Sequence, residues 1–176
     1  MSPRSFVLLA ASLTLAACGG DSATTTEAAA PEPAPTAESA PAVAPPSGDL
    51  AEVTLQPSGE LMEYAQTSFV VAPGQTVRLT FENTATGEAM HHNVVVLEQG
   101  ADANAFGQAA MSAADTDYIP ADLEAQVLAH TPMSAPGETV TVEFTAPSEP
   151  GDYTYLCTFP GHYMTMKGTM TVAAAS

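Results

Sequence analysis

Asp152-Tyr-Thr-Tyr-Leu-Cys157-Thr-Phe-Pro-Gly-His162-Tyr-Met-Thr-Met166-Lys-Gly-Thr-Met-Thr-Val172 is the stretch on which the reading of this chain turns. Tyr153 to Cys157 and Gly168 to Val172 have the composition of two short strands, and Pro160-Gly161 stiffens and then bends the backbone between them. Within the loop so formed, a thiol (Cys157), an imidazole (His162) and a thioether (Met166) stand at relative positions 0, +5 and +9. Soft and borderline ligands of this kind suit copper.

Outward from that loop the apolar pattern has period two. Val77, Leu79 and Phe81 alternate with Thr76, Arg78, Thr80 and Glu82, and Val140, Val142 and Phe144 alternate with Thr139, Thr141 and Glu143, as in half-buried strands. Further strands are expected at Glu52 to Gln56, Ser68 to Val71, Asn93 to Leu97 and Gln126 to Ala129, with turns at Pro73-Gly74, Pro136-Gly137 and Pro150-Gly151. About eight short strands predict an all-β, Greek-key β-sandwich over residues 49–176. One helical insertion is expected at Ala101 to Ala114, with Asp102 as N-cap and Phe106, Ala109, Ala110 and Ala113 on one face.

The start of the chain has a different character. Met1 to Ala17 carries one positive charge, Arg4, and then an apolar run too short for a membrane span, which is the form of a signal peptide. Leu15-Ala16-Ala17-Cys18-Gly19 resembles the lipobox of bacterial lipoproteins. The resemblance implies cleavage before Cys18, lipidation of its thiol and a stable anchor, since several acyl chains hold where one does not. A plain secretory signal cut near Ala17 is the alternative. Gly19 stands where an aspartate would favour inner-membrane retention, so the implied address is the bacterial cell envelope, at the outer membrane and facing the periplasm. Residues 18–48 are dominated by Ala, Pro, Thr, Ser and Glu and cannot bury enough apolar surface to offset chain entropy, so a disordered tether is expected. Cys18 and Cys157 lie in such different surroundings that a disulfide between them is not expected.

Three basic residues against twenty acidic ones give a formal net charge of −17, which disfavours nucleic acid as a partner. A docking partner with a basic face fits better, because charge of one sign steers association.

A copper site that serves both oxidation states needs one thiolate, two imidazoles in a trigonal plane and a long axial thioether. The loop lacks one imidazole, and His91, His92 and His130 are the residues left to offer it. Cys157-Thr-Phe-Pro-Gly-His162-x-x-x-Met166-Lys-Gly resembles the copper loop of the azurins and auracyanins, the blue (type 1) copper proteins known as cupredoxins. His91-His92-Asn93 resembles their upstream His-Asn pair, and Gln126-Val-Leu-Ala-His-Thr131 one of their strands. The resemblance implies one copper ion held by His92, Cys157, His162 and Met166. It implies that Asn93 ties the two ligand-bearing segments together, that Thr158 belongs to the same surrounding layer, and that Phe159 offers an amide to the sulfur while its ring packs inward. His91 stands where azurins have a glycine whose carbonyl weakly approaches copper, so a fifth contact at the His91 carbonyl stays open, and His91 itself is the competing ligand. Met164 is the alternative thioether, but alternation turns it outward. His130 reads as a surface or core histidine, and Met90, Met133 and Met170 as core or rim residues. Tyr153 and Tyr155 are explained by strand packing. The N-terminal disulfide of azurins has no cysteines here.

The function implied is that of a lipid-anchored, monomeric electron carrier, not an enzyme. It would pass one electron through the exposed edge of His162, between redox proteins such as cytochromes or membrane oxidoreductases, with Pro160, Tyr163, Met164 and Met133 as the docking patch. A copper-binding module for sequestration or delivery is the alternative, although it needs no rigid cysteine loop. Catalytic readings fare worse: a zinc hydrolase lacks a base beside the loop, a cysteine hydrolase would have its groups tied up as metal ligands, and a copper nitrite reductase needs more histidines.

Overall fold

The structure, a computed structural model, describes residues 49–174; the expected signal peptide, Cys18 and the tether lie outside the described residues. Eight strands follow in order: β1 (Leu50–Leu55), β2 (Ser68–Val71), β3 (Thr76–Glu82), β4 (Val95–Leu97), β5 (Val127–His130), β6 (Thr139–Thr145), β7 (Gly151–Leu156) and β8 (Lys167–Val172). One α-helix, α1 (Ala103–Ala110), is inserted between β4 and β5, followed by two short 3₁₀ segments, Ala114–Thr116 and Ala121–Gln126. The strands form two sheets, a three-stranded one in the order β1-β3-β6 and a five-stranded one in the order β2-β8-β7-β4-β5. β1 runs parallel to β3 and β2 parallel to β8, while β3–β6, β4–β5, β4–β7 and β7–β8 are antiparallel.

Alternation along the strands builds the core. Ala51 and Leu55, Phe69 and Val71, Val77, Leu79 and Phe81, and Tyr153 and Tyr155 all point into one buried cluster. The same phase carries Cys157 inward from the end of β7, and Met166 inward with Met170 and Val172 at the start of β8. β4 does not alternate: Val94 to Leu97 are all buried because both faces of the strand are covered. Val94 and Val96 face the main core, while Val95 and Leu97 join Phe106, Ile119 and Leu156 in a second cluster that includes α1. The outer face of the three-stranded sheet is polar, and Arg78 bonds Glu52 and Glu143 across its register. That exposed ion pairing contributes little stability.

The helix is shorter than the sequence predicts. Asp102 caps it, accepting from the Asn104 and Ala105 amides at 2.9 and 3.1 Å. It stops at Ala110 because the Ala113 carbonyl takes the amides of Thr116 and Tyr118 and turns the chain away. Its inward face is Phe106, Gly107 and Ala110, with Ala109 exposed. Gly107 is there for space: a Cβ on it would lie 2.2 Å from Cγ of Tyr163, a residue of the ligand loop. β4 also starts two residues later than expected, because the backbone at His92 is bridged to Ser134 and the Asn93 carbonyl is taken by the Tyr64 hydroxyl.

Gly168 is the tightest point where β7 meets β8. A Cβ there would fall 2.2 Å from the Tyr155 ring and 2.6 Å from the Thr67 carbonyl oxygen, and Tyr155 is itself fully buried. Overpacking a filled core costs about 1–3 kcal/mol. Gly168→Ala is therefore expected to destabilise by about 3 kcal/mol, seen as a lower urea midpoint with an unchanged denaturant slope.

Candidate metal centre

Two segments that are distant in sequence meet at the end of the sandwich. His92 lies at the entrance to β4 and Cys157 at the exit of β7, next to each other in the five-stranded sheet. His162 is returned to them by the loop: Gly161 adopts φ 85°, and a single 3₁₀ turn, His162–Met164, follows. The His162 amide bonds the Phe159 carbonyl at 3.0 Å, the Met166 amide bonds the His162 carbonyl at 2.8 Å, and the Cys157 amide bonds the Met166 carbonyl at 3.0 Å. These bonds close the loop on itself and bring Met166 beside Cys157.

Three donor atoms converge. His92 Nδ1 and His162 Nδ1 are 3.1 Å apart, and each lies close to Cys157 Sγ, at 3.8 and 3.7 Å. A metal with bonds of about 2.0 Å to nitrogen and about 2.3 Å to sulfur fits within such a triangle. Among the described residues this is the one cluster of histidine, cysteine and carboxylate groups able to hold an ion. Cys157, His92 and Met166 are fully buried, and His162 is 5% exposed. The Met166 side chain packs in the same core cluster as Cys157.

His91 is not brought into the triangle. Its ring is half-buried and stacks on Phe159 at a centroid distance of 5.7 Å and an interplanar angle of 21°. Alternation explains the difference, because His92 is in phase with the inward-facing Val94 and Val96 while His91 points the other way. Met164 is 63% exposed and His130 exposed. The Phe159 ring is half-buried: it packs against the main core cluster and also meets His91, Tyr118 and His162.

The surroundings of the triangle are ordered by one amide side chain. Asn93 Oδ1 accepts the Thr158 amide and Asn93 Nδ2 donates to Thr158 Oγ1, both at 2.8 Å and both buried. The Tyr64 hydroxyl donates to the Asn93 carbonyl at 2.6 Å. Tyr64 in turn packs edge-on against Phe81, whose ring lies 6.1 Å from that of His92. Behind His92, Asn83 Nδ2 donates to the Met90 and Ser134 carbonyls at 2.8 and 3.1 Å, and Thr131 exchanges bonds with the Val94 backbone at 3.0 Å. Tyr64, Asn83 and Thr131 escaped the reading of the sequence. Nothing in the sequence sets Asn83 apart from its polar neighbours Glu82 and Thr84, or Thr131 from His130 before it.

Comparison with known proteins places this geometry. Copper binding proteins of the plastocyanin/azurin family match residues 51–173. The chain belongs to that family. Auracyanin-A of Chloroflexus aurantiacus is 37% identical over 113 residues, 63% of this chain and 67% of its own length. A solved structure of auracyanin A, described as a "blue" copper protein, superposes with TM-score 0.65 at 35% identity, over 70% of this chain and 99% of that one. Dithionite-reduced auracyanin from Roseiflexus castenholzii superposes with TM-score 0.63 at 42% identity, over 69% of this chain and 96% of that one. Outer membrane protein H.8 of Neisseria gonorrhoeae is 36% identical over 98 residues, and this chain spans 52% of its length. The cofactor of this cupredoxin is copper, and the His92, Cys157, His162 and Met166 arrangement is that of a single type 1 site.

Electrostatics of the cupredoxin site follow from its dryness. Burial pushes the Cys157 thiol up to about 12, opposed by the Asn93 and Phe159 amides, which donate to its sulfur. Burial is also the main cause that brings His92 down to about 4, helped by the neighbouring His162 and His91, and it lowers His162 too. Both imidazoles are therefore neutral at pH 7, with lone pairs available, whereas the thiol holds its proton. Since thiolate is the binding form, copper must displace one proton. Copper affinity is expected to rise about tenfold per pH unit between about pH 7 and 9. The slope should steepen only below the ordinary histidine range, as protons compete for His162 and then, near 4, for His92. Competition against a chelator across this range measures it; a flat profile would contradict a protonated thiol.

Proposed function

We propose that this chain is a lipid-anchored blue copper electron-transfer protein of the bacterial cell envelope, in which His92, Cys157, His162 and Met166 would hold the copper ion. The observation that carries this reading is the buried triangle of two imidazole nitrogens and one sulfur. Copper bound there supplies a one-electron Cu(II)/Cu(I) couple.

The residues of the chain do the rest. Asn93 and Thr158 fix the spacing between the His92 and Cys157 segments, so neither oxidation state can pull the donors to its own preferred geometry. The Asn93 and Phe159 amides stabilise negative charge on the sulfur and weaken its donation to the oxidised ion, which raises the potential. Burial of Cys157 and Met166 excludes water and the side reactions it brings. His162 is the one imidazole of the pair with any exposure, and it is the port for the electron. A module for copper delivery would gain nothing from so closed a site.

The anchor at Cys18, the tether to residue 48 and an outer-membrane address belong to the same proposal. They are supported by the lipobox-like sequence and by similarity to outer membrane protein H.8. Redox partners with a basic face, cytochromes or membrane oxidoreductases, suit a chain of net charge −17. Among the described residues its lysine and arginine side chains are Arg78, held by two glutamates, and Lys167.

The purified protein loaded with Cu(II) is expected to show an intense thiolate-to-copper absorption in the visible and a reversible one-electron titration; a colourless, redox-silent complex would sink the assignment. Cys157→Ala should abolish the band entirely. Met166→Leu should keep it and raise the potential, because one donor to the oxidised ion is lost while the wall stays apolar. Growth with a clickable fatty acid should label the wild type and not Cys18→Ala, and unlabelled wild-type protein would exclude the anchor.

A further inference from the structure

Asp117 and Tyr118 are consecutive non-glycine residues in the left-handed region, at φ 51° and 60°. For a bulky side chain such as tyrosine this is an outlier, and it persists only where the surroundings over-determine it. They do so here. The Tyr118 amide bonds the Ala113 carbonyl at 2.9 Å, Thr116 Oγ1 donates to the Ala113 and Ile119 carbonyls at 3.1 and 2.7 Å, and Ile119 and Pro120 are buried immediately after. The product of this strain is the placement of one ring. Tyr118 meets Phe159 in a T-shaped contact at 5.6 Å, on a ring that also stacks on His91 and lies 4.9 Å from His162.

We propose that Tyr118 is a positioning residue for the copper site: its ring, held out by the left-handed turn, braces Phe159 against His162 and so keeps the Phe159 amide on the Cys157 sulfur. The proposal rests on the copper-binding reading above. Phe159 is tied to the site at three points, through its amide to Cys157 Sγ, through its carbonyl to the His162 amide, and through its ring to His162. A Phe159 free to swing would loosen all three and open a path for water to a sulfur that is now fully buried. Tyr118 comes from the segment between α1 and β5, remote in sequence from every ligand, and it fixes that swing from outside. The ring is what acts, so phenylalanine should serve in its place.

Three variants separate this role from a purely structural one. Tyr118→Gly removes the ring and also relieves the left-handed strain, because glycine adopts positive φ readily. Tyr118→Leu removes the ring but keeps a side chain, and Tyr118→Phe keeps the ring. Two readouts are needed: the copper reduction potential, and the rate at which iodoacetamide alkylates Cys157 in chelator-treated protein, followed on the Cys157 peptide by mass spectrometry. For Gly and Leu we expect a lower potential and alkylation faster by about tenfold or more, the scale on which residues supporting a metal's ligands act. Far-UV circular dichroism should be unchanged, and Phe should match the wild type in both readouts. Wild-type potential and alkylation in either ring-less variant that folds would overturn the proposal, as would Tyr118→Phe behaving like Tyr118→Gly. If the wild type itself binds no blue copper, the reading of the site has failed, and the alkylation rates still decide whether Tyr118 braces the loop.

Discussion

The pair of hydrogen bonds between the Asn93 side chain and Thr158 is the constraint on which the rest of this site depends. Two neighbouring strands of the five-stranded sheet end at this level, one delivering His92 and the other Cys157, and past the end of the ladder no regular backbone pairing holds them in register. A single amide with one acceptor and two donors replaces the missing rung: it takes the Thr158 N–H and gives to the Thr158 hydroxyl. Both bonds are buried, so breaking them leaves polar groups dry and unpaired, at about 1–3 kcal/mol each. The separation between sulfur and the His92 nitrogen thus inherits the stiffness of the sheet.

Everything else around the site keeps that separation from relaxing. Tyr64 holds the Asn93 carbonyl, Phe81 backs both Tyr64 and the His92 ring, and Asn83 and Thr131 pin the backbone on either side. On the opposite side the loop that carries His162 and Met166 is closed by its own backbone bonds and pressed against α1 where Gly107 admits the Tyr163 side chain. The second core under α1 therefore has a role in the site as well as in stability. It shares Leu156, the residue before Cys157, with the sheet.

Much of this was legible in the sequence, and the reasons differ by element. Strands such as β3 show because their alternation is a direct consequence of one dry face, as in Val77 to Phe81. The ligand loop shows because thiol, imidazole and thioether on one short turn have few other uses. The bounds of β4 and α1 were less legible. Val94 to Leu97 is covered on both faces and loses its period, and the end of α1 is decided by carbonyl Ala113 in a turn that propensity does not reveal. The ring contacts of Phe159 outside the core were not legible, because two histidines and a tyrosine are brought to it only by the fold. Tyr118 left no trace at all, since a left-handed tyrosine looks in sequence like any other.

The acidic surface and the dry site act on different quantities. Exposed carboxylates are screened over about 8–10 Å at physiological salt, so the net charge of −17 reaches an approaching partner far more effectively than it shifts the energy of a charge already inside the fold. Inside, the nearby groups dominate: the thiol is raised by burial and eased by two amides, and His92 is lowered by burial and by two neighbouring imidazoles, with Glu60 opposing weakly. Glu60 itself is engaged by Thr86 and the Gly87 amide, which fixes where its charge sits. Substitutions among the exposed acids would thus alter encounter rates and their salt dependence, while the electron affinity of the centre is set by the few atoms within contact of the sulfur.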